Sequence, residues 1–176
     1  GYIFDINGMF DFFAHTFLYH QKQHGDLLET IGNIFEFLHR EKFIEKSGTR
    51  FFATPFGALT SRLYIDPMTS ITLRETLNKL KPDAPVSAIG LLHAMTCCPD
   101  ATLLHVGKTD IDTLENFLSH HEEEFILTPN SWPALDNYFD YLSTVKTTFM
   151  LMQWIDEEKE ESICDQFGVG PGDIYR

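Results

Sequence analysis

Phe43-Ile44-Glu45-Lys46-Ser47-Gly48-Thr49-Arg50-Phe51-Phe52-Ala53-Thr54 is the stretch whose reading decides the fold. It reads as two short strands around a Ser-Gly turn. What precedes it reads as helix. Phe10, Phe13 and Phe17 recur at helical spacing, with Phe12 beside them. Asp26 is placed to cap a second helix, in which Leu27, Leu28, Ile31, Ile34, Phe35 and Leu38 fall on one stripe. Helices that run through a short basic stretch into a small hairpin predict a winged helix: a three-helix core with a β-hairpin wing. The alternative is a helical bundle with one stray hairpin.

Beyond the hairpin, Pro55-Phe56-Gly57 ends the wing. Residues 58–65 form a short helix, stopped before Asp66-Pro67 because the residue before proline avoids the helical region. Thr69 or Ser70 caps a further helix that runs to Leu80. Lys81-Pro82-Asp83-Ala84-Pro85 is the clearest linker in the chain. The expected organisation is therefore a winged-helix domain at 1–80, a linker at 81–85 and an all-helical bundle domain at 86–176, truncated at its C-terminal end. In that second part Ser87 caps a helix carrying Ile89, Leu92, His93 and Met95, and Asp110 or Asp112 starts another. Pro133 opens a long apolar pattern through Tyr138, Tyr141, Leu142, Val145, Phe149, Met152 and Trp154. A short helix at 160–167 follows. The glycines at 168, 170 and 172 break it, and Asp173 is placed to cap a new helix from Ile174. The fold class is mainly α.

The 176 residues are 43% hydrophobic, enough for one sizeable core or two small ones. No apolar run approaches bilayer length. Three cysteines, two of them adjacent, do not make a disulfide framework and point to a reducing, cytoplasmic setting. The chain opens on Gly1 and stops at Arg176 in what reads as the start of a helix, so both ends read as boundaries of an excised piece. The net charge of −13 is lopsided: residues 1–80 balance at −1 and residues 81–176 at −12. Affinity for nucleic acid rests on phosphate neutralisation, so a piece this acidic binds DNA poorly alone. The exposed face of the second helix offers Asn33, Glu36, His39 and Arg40, and residues 25–50 carry five acids against four bases. A groove-reading helix is more basic than that. The balance favours a packing module over DNA readout.

Sites for chemistry are few. A phosphate cradle of the form Gly, four residues, Gly-Lys-Ser/Thr is missing from the sequence. The glycines at 168–172 follow a helix rather than a strand and do not make a dinucleotide loop. His93 and Cys97 share a helical face, with Cys98 adjacent and His120 or His121 as a further ligand, but the Cys-x2-Cys spacing of structural zinc is missing. The cysteines are expected to be structural, with no metal site and no catalytic residue. The acid runs 122–124 and 156–158 read as solvated helix faces.

The block Ala53-Thr54-Pro55-Phe56-Gly57-Ala58-Leu59-Thr60-Ser61-Arg62-Leu63-Tyr64-Ile65-Asp66-Pro67 strongly resembles the wing-to-helix segment of the archaeal Hjm-type, HelQ-like, Ski-related superfamily-two helicases. The likeness continues at residues 86–96 and 151–157, and at Phe167-Gly168-Val169-Gly170-Pro171-Gly172-Asp173, in family order. The resemblance implies ATP-dependent 3′-to-5′ unwinding of DNA at stalled or branched replication forks. It implies RecA-like motor domains of the same chain, which hold ATP and magnesium, and a winged helix packed on that motor. It also implies a helical ratchet domain around single-stranded or forked DNA, in which a helix after the Gly-Pro-Gly-Asp block presents an arginine to the bases. Arg176 matches that place and is the one candidate nucleic-acid-binding residue. The chain departs from the family at position 58, where alanine replaces a commonly basic residue, and in its acidic helical part. An accessory region of a Ski-type RNA helicase, and a free-standing winged-helix interaction module, are the competing functions.

Overall fold

The structure, a computed structural model, describes residues 5–21, 24–80, 85–129 and 138–174. It is mainly helical, with one two-stranded antiparallel sheet among the described residues. The chain divides into two compact units, Gly1–Ile65 and Asp66–Arg176.

The first unit contains α1 (Ile6–Ala14), α2 (Phe17–Gln21), α3 (His24–Arg40), β1 (Ile44–Ser47), β2 (Arg50–Ala53) and α4 (Pro55–Leu63). The phenylalanine series does not make a single helix. The Thr16 backbone N–H and hydroxyl both donate to the Phe13 carbonyl, at 2.9 and 2.7 Å, which closes α1 with a three-residue turn. Phe17 then opens α2 and is 74% exposed. In α3 the inward stripe is narrower than its sequence pattern: Leu27, Ile31 and Phe35 are buried, while Leu28 and Ile34 stand exposed at its edges. Helix α3 starts at His24, which places Asp26 in its first turn instead of at the cap. The three buried residues pack with Met9, Phe10, Phe13, Tyr19, Ile44 and Phe51.

The hairpin matches its sequence reading to within a residue. Ile44 pairs with Ala53 and Ser47 with Arg50, around a two-residue loop in which Gly48 takes φ 62°. Thr54 ties hairpin to helix. Its hydroxyl donates to the Lys42 carbonyl (2.6 Å), its backbone N–H to the Phe43 carbonyl (2.9 Å), and its oxygen accepts from Gly57 N (3.0 Å) as the N-cap of α4. Helix α4 therefore begins three residues earlier than expected, with Pro55 in its first turn. Residue 57 has to be glycine, because a Cβ there would collide with the Phe43 carbonyl.

The second unit contains α5 (Pro67–Lys79), α6 (Ala88–Thr96), α7 (Ile111–His120), a 3-10 turn at Glu122–Glu124, α8 (Tyr138–Ile155), α9 (Glu160–Phe167) and α10 (Pro171–Ile174). Asp66, not Thr69 or Ser70, caps α5 by accepting from Met68 N at 2.7 Å. Thr69 and Ser70 are buried inside the helix. Helix α5 packs on α6 and groups with the second unit, whereas the proline-rich linker reading places it with the first. Residues 81–84 of that linker, and the expected helix start at Pro133, lie outside the described residues. Ser87 caps α6 as expected, accepting from Ile89 N at 3.1 Å. The core joins Ile89, Val106, Leu114, Phe117, Phe125, Tyr141, Leu142 and Val145. No helix among the described residues is long and apolar enough to cross a membrane.

Candidate nucleic-acid interface

The α9–α10 corner directly precedes, in sequence, the position expected to bind the strand. Helix α9 buries Ile163 and Phe167. It ends at Gly168, whose φ of 66° is left-handed, the conformation in which a Cβ costs most. The N–H groups of Gly168 and Val169 both donate to the Cys164 carbonyl, at 2.9 and 3.2 Å. Pro171 then opens α10 with φ already helical. Asp173 does not cap a helix starting at Ile174. It is the third residue of α10, and its Oδ2 reaches back to accept from Gly170 N at 3.0 Å, the reciprocal half of a capping box. Ile174 is buried with Met150, Ile163 and Phe167, and Phe167 meets Phe149 edge-on at 5.2 Å. The corner is thus held by an apolar plug and two backbone caps. Arg176 lies outside the described residues.

Helices α7 and α8 support this corner through a buried charge. Lys146, its side chain 8% exposed, donates to Asp110 Oδ2 at 2.8 Å and to the His105 carbonyl at 3.0 Å. Asp110 Oδ2 also accepts from Gly107 N at 2.8 Å. Burial works to raise the Asp110 carboxyl, but the Lys146 hydrogen bond, the Gly107 N–H and the Lys146 charge together leave it below the ordinary carboxylate range. Asp110 stands at the N-cap of α7 yet makes no side-chain cap there; its oxygen is committed to Lys146. Sequence reading missed Lys146. Its one signal was a lone cation inside the otherwise uncharged run Leu142-Ser143-Thr144-Val145-Lys146-Thr147-Thr148-Phe149-Met150.

The residues singled out as metal candidates sit in separate local networks. The Thr144 hydroxyl donates to the Tyr141 carbonyl (2.7 Å), so its oxygen accepts from His93 Nε2–H at 2.9 Å. That leaves Nδ1 a bare, buried lone pair with no partner. Burial holds the His93 imidazolium down to about 4 and pushes the Cys97 and Cys98 thiols up to about 12 and 11. These thiols are protonated at neutral pH. Cys98 donates to the Ala94 carbonyl at 3.2 Å. His120 Nδ1 lies 2.7 Å from the Asn116 carbonyl. His121 Nδ1 lies 2.6 Å from Glu124 Oε1.

Glu124 departs from the solvated-run reading. It joins Ser87, whose hydroxyl donates to it, and His121, and both contacts lower its carboxyl. The carboxylate sits between serine and histidine and clamps the start of α6 to the turn at 122–124. Glu122 and Glu123 are exposed, as are residues 156–158. In the first unit, Arg40 on the outer face of α3 pairs with Glu41 at 3.1 Å and lies over the Phe37 ring. Asn33, Glu36 and His39 beside it are exposed.

Comparison with known proteins accounts for this arrangement. Residues 89–176 match the family model "Archaeal helicase, domain 4". The chain is similar to proteins named ATP-dependent DNA helicase Hel308. It is 36% identical to that of Methanocella arvoryzae over 86% of this chain and 21% of the relative. For Pyrococcus horikoshii the figures are 34%, over 96% and 23%, and for Pyrococcus abyssi 33%, over 98% and 24%. The chain thus spans about a fifth to a quarter of the length of these relatives. The Gly-Pro-Gly-Asp corner, the α6–α8 core and the Lys146 pair all fall within the matched span, and the chain belongs to the archaeal helicases of the Hel308 type, with residues 89–176 as their domain 4.

Proposed function

We propose that this chain is an accessory region of an ATP-dependent DNA helicase that unwinds 3′-to-5′ at stalled or branched replication forks in the cytoplasm. Residues up to the α4 region act as a winged helix packed on RecA-like motor domains of the same protein, which hold ATP and magnesium. The second unit guides the single strand. The observation that carries this reading is the α9–α10 corner. A short helix seated by Ile174, Pro171 and the Asp173 box stands two residues before position 176 in the chain. A guanidinium there can stack on a base and also reach a phosphate, which suits a strand moving past. The helicase names of the relatives and the domain 4 match support the same assignment. The acidity of residues 81–176 restricts contact with the strand to a few positions and leaves most phosphates to other domains.

The test is Arg176→Ala in the full-length helicase. Base stacking is worth about 1–3 kcal/mol. Unwinding is therefore expected to slow by about tenfold or more, with the melting temperature unchanged and more ATP spent per base pair opened. Wild-type strand affinity, unwinding rate and coupling together would remove the ratchet role.

A further inference from the structure

A cleft opens between α7, α8 and the end of α9, directly beside the Gly168 turn, and is lined by Thr109, Asp110, Thr113, Lys146, Gln166 and Phe167. Its inner part measures about 240 Å³, below the roughly 300–1,000 Å³ of drug-sized pockets and suited to a single flat ring system. The chemistry of its walls is uneven. Both contacts to Asp110 fall on Oδ2, and Oδ1 has no hydrogen bond among the described residues. The Lys146 ammonium has three protons and places two, on His105 and Asp110. Gln166 spends its Oε1 on Gln153 at 2.9 Å, which leaves its NH₂ unused. A lone carboxylate oxygen, an ammonium proton and an amide donor thus belong to residues that line one cleft together with Phe167.

We infer that this cleft takes one unpaired nucleobase, read by Asp110 Oδ1 as acceptor and by Lys146 and Gln166 as donors. The inference rests on the single-strand reading above and names a second contact for that strand. A phosphate is the wrong occupant, because Asp110 stands in the cleft, the exposed Asp165 lines the hollow beside it, and residues 81–176 carry a balance of −12. A neutral ring avoids that field. Its edge has to offer a donor beside an acceptor, which the open Watson–Crick edge of every unpaired base does, and its sugar-phosphate stays outside.

The experiment is a titration of the isotopically labelled 176-residue chain with uncharged nucleosides, guanosine and cytidine, followed by amide NMR with free ribose as control. Saturable shifts are expected at Gly107, Asp110, Thr113 and Gly168, and none with ribose. The double change Thr113→Ala and Gln166→Ala keeps the Lys146–Asp110 pair and the fold. It should weaken nucleoside binding by about fivefold or more, as the loss of the Gln166 hydrogen bond together with the Thr113 wall predicts. Asp110→Asn, checked for folding by its amide dispersion, should do the same. No shift up to the solubility limit overturns the inference, as does binding that the folded double variant retains. A cleft that takes no nucleoside in a helicase whose Arg176→Ala variant is impaired sinks this inference alone. Nucleoside binding alongside a silent Arg176→Ala variant sinks the ratchet reading alone.

Discussion

The first unit buries Leu27, Ile31, Phe35 and Phe43, with Thr54 and Thr60 its buried polar side chains, whereas α8 in the second unit buries Thr144, Lys146, Thr147 and Thr148 in one continuous stretch. The first packs with forces that have little direction: Phe35 against Phe51 at 4.7 Å, Phe43 stacked on Phe56 at 4.9 Å. The second packs with partners that have to be in register. Thr96 meets Thr148 Oγ1 at 3.0 Å and the Thr144 carbonyl at 3.2 Å, His93 meets Thr144, and Thr147 accepts from Leu104 N at 3.0 Å. Apolar cores tolerate repacking if volume is kept. A buried polar ladder tolerates no slip, since each displaced group is left unsatisfied. The part of the chain read as handling the strand is thus the part whose geometry is specified most tightly.

The sharpest way to break this contrast is at Lys146. Asp110→Ala leaves a buried ammonium with one carbonyl partner, and removal of one member of a buried pair costs about 3–5 kcal/mol. Lys146→Met, which removes the charge and keeps the volume, should cost far less. Urea unfolding of the two variants should show that inequality. Equal losses would mean that the ion pair is not the unit's constraint. No single substitution in the first unit should show such asymmetry, because among the described residues its buried side chains carry no charge.

The next test uses acid. The His93 imidazolium is held down to about 4 in the folded chain, against about 6.5 unfolded. Between those values the unfolded chain binds the extra proton and the folded chain does not. Stability is therefore full above about pH 6.5, falls as pH drops toward 4, and levels off below it. The loss reaches about 3 kcal/mol and belongs to the second unit. Its structural cause is the Nδ1 lone pair, which on protonation would become a buried donor with no acceptor. His93→Phe should flatten the slope between pH 6.5 and 4 in thermal melts, and an unchanged slope would clear His93. Asp110 adds a loss at lower pH still: its lowered carboxyl stabilises above the unfolded value and is lost as pH falls through the folded one.

These differences also show what the sequence made legible. Pattern and punctuation sufficed for the hairpin at 44–53, the Ser87 cap and the helix at 160–167, because each is set by neighbours a few residues away. The errors came where two local signals competed. At α4 and α5 the prolines were read as stops, although each stands in the first turn of the helix that Thr54 or Asp66 caps. At Asp173 an acid before an apolar residue was read as a cap, when it is the third residue answering Gly170. The helix break at Gly168 between α9 and α10 was legible from its glycines and proline. Lys146, Glu124 and the His93–Thr144 contact were illegible, since their meaning depends on partners 36, 37 and 51 residues distant.

The smallest predicted effect concerns a device that the two units share. Helix α3 is followed by Lys42, α4 by Tyr64 and α8 by Glu157, with φ of 64°, 55° and 60°. All three are left-handed residues at helix ends, where glycine is the cheap choice. A side chain in that region costs roughly 1–2 kcal/mol, partly offset by the extra freedom that glycine carries in the unfolded chain. Lys42→Gly and Glu157→Gly should therefore each raise stability by about 0.5–1 kcal/mol, one change in each unit. The gains should be equal, because backbone strain does not depend on whether the neighbouring core is rings or hydroxyls. Chemical denaturation of both variants reads this directly. A gain at Lys42 with a loss at Glu157 would show that the register of α8 extends to its last turn, so that the polar ladder governs the end of that helix as well as its middle.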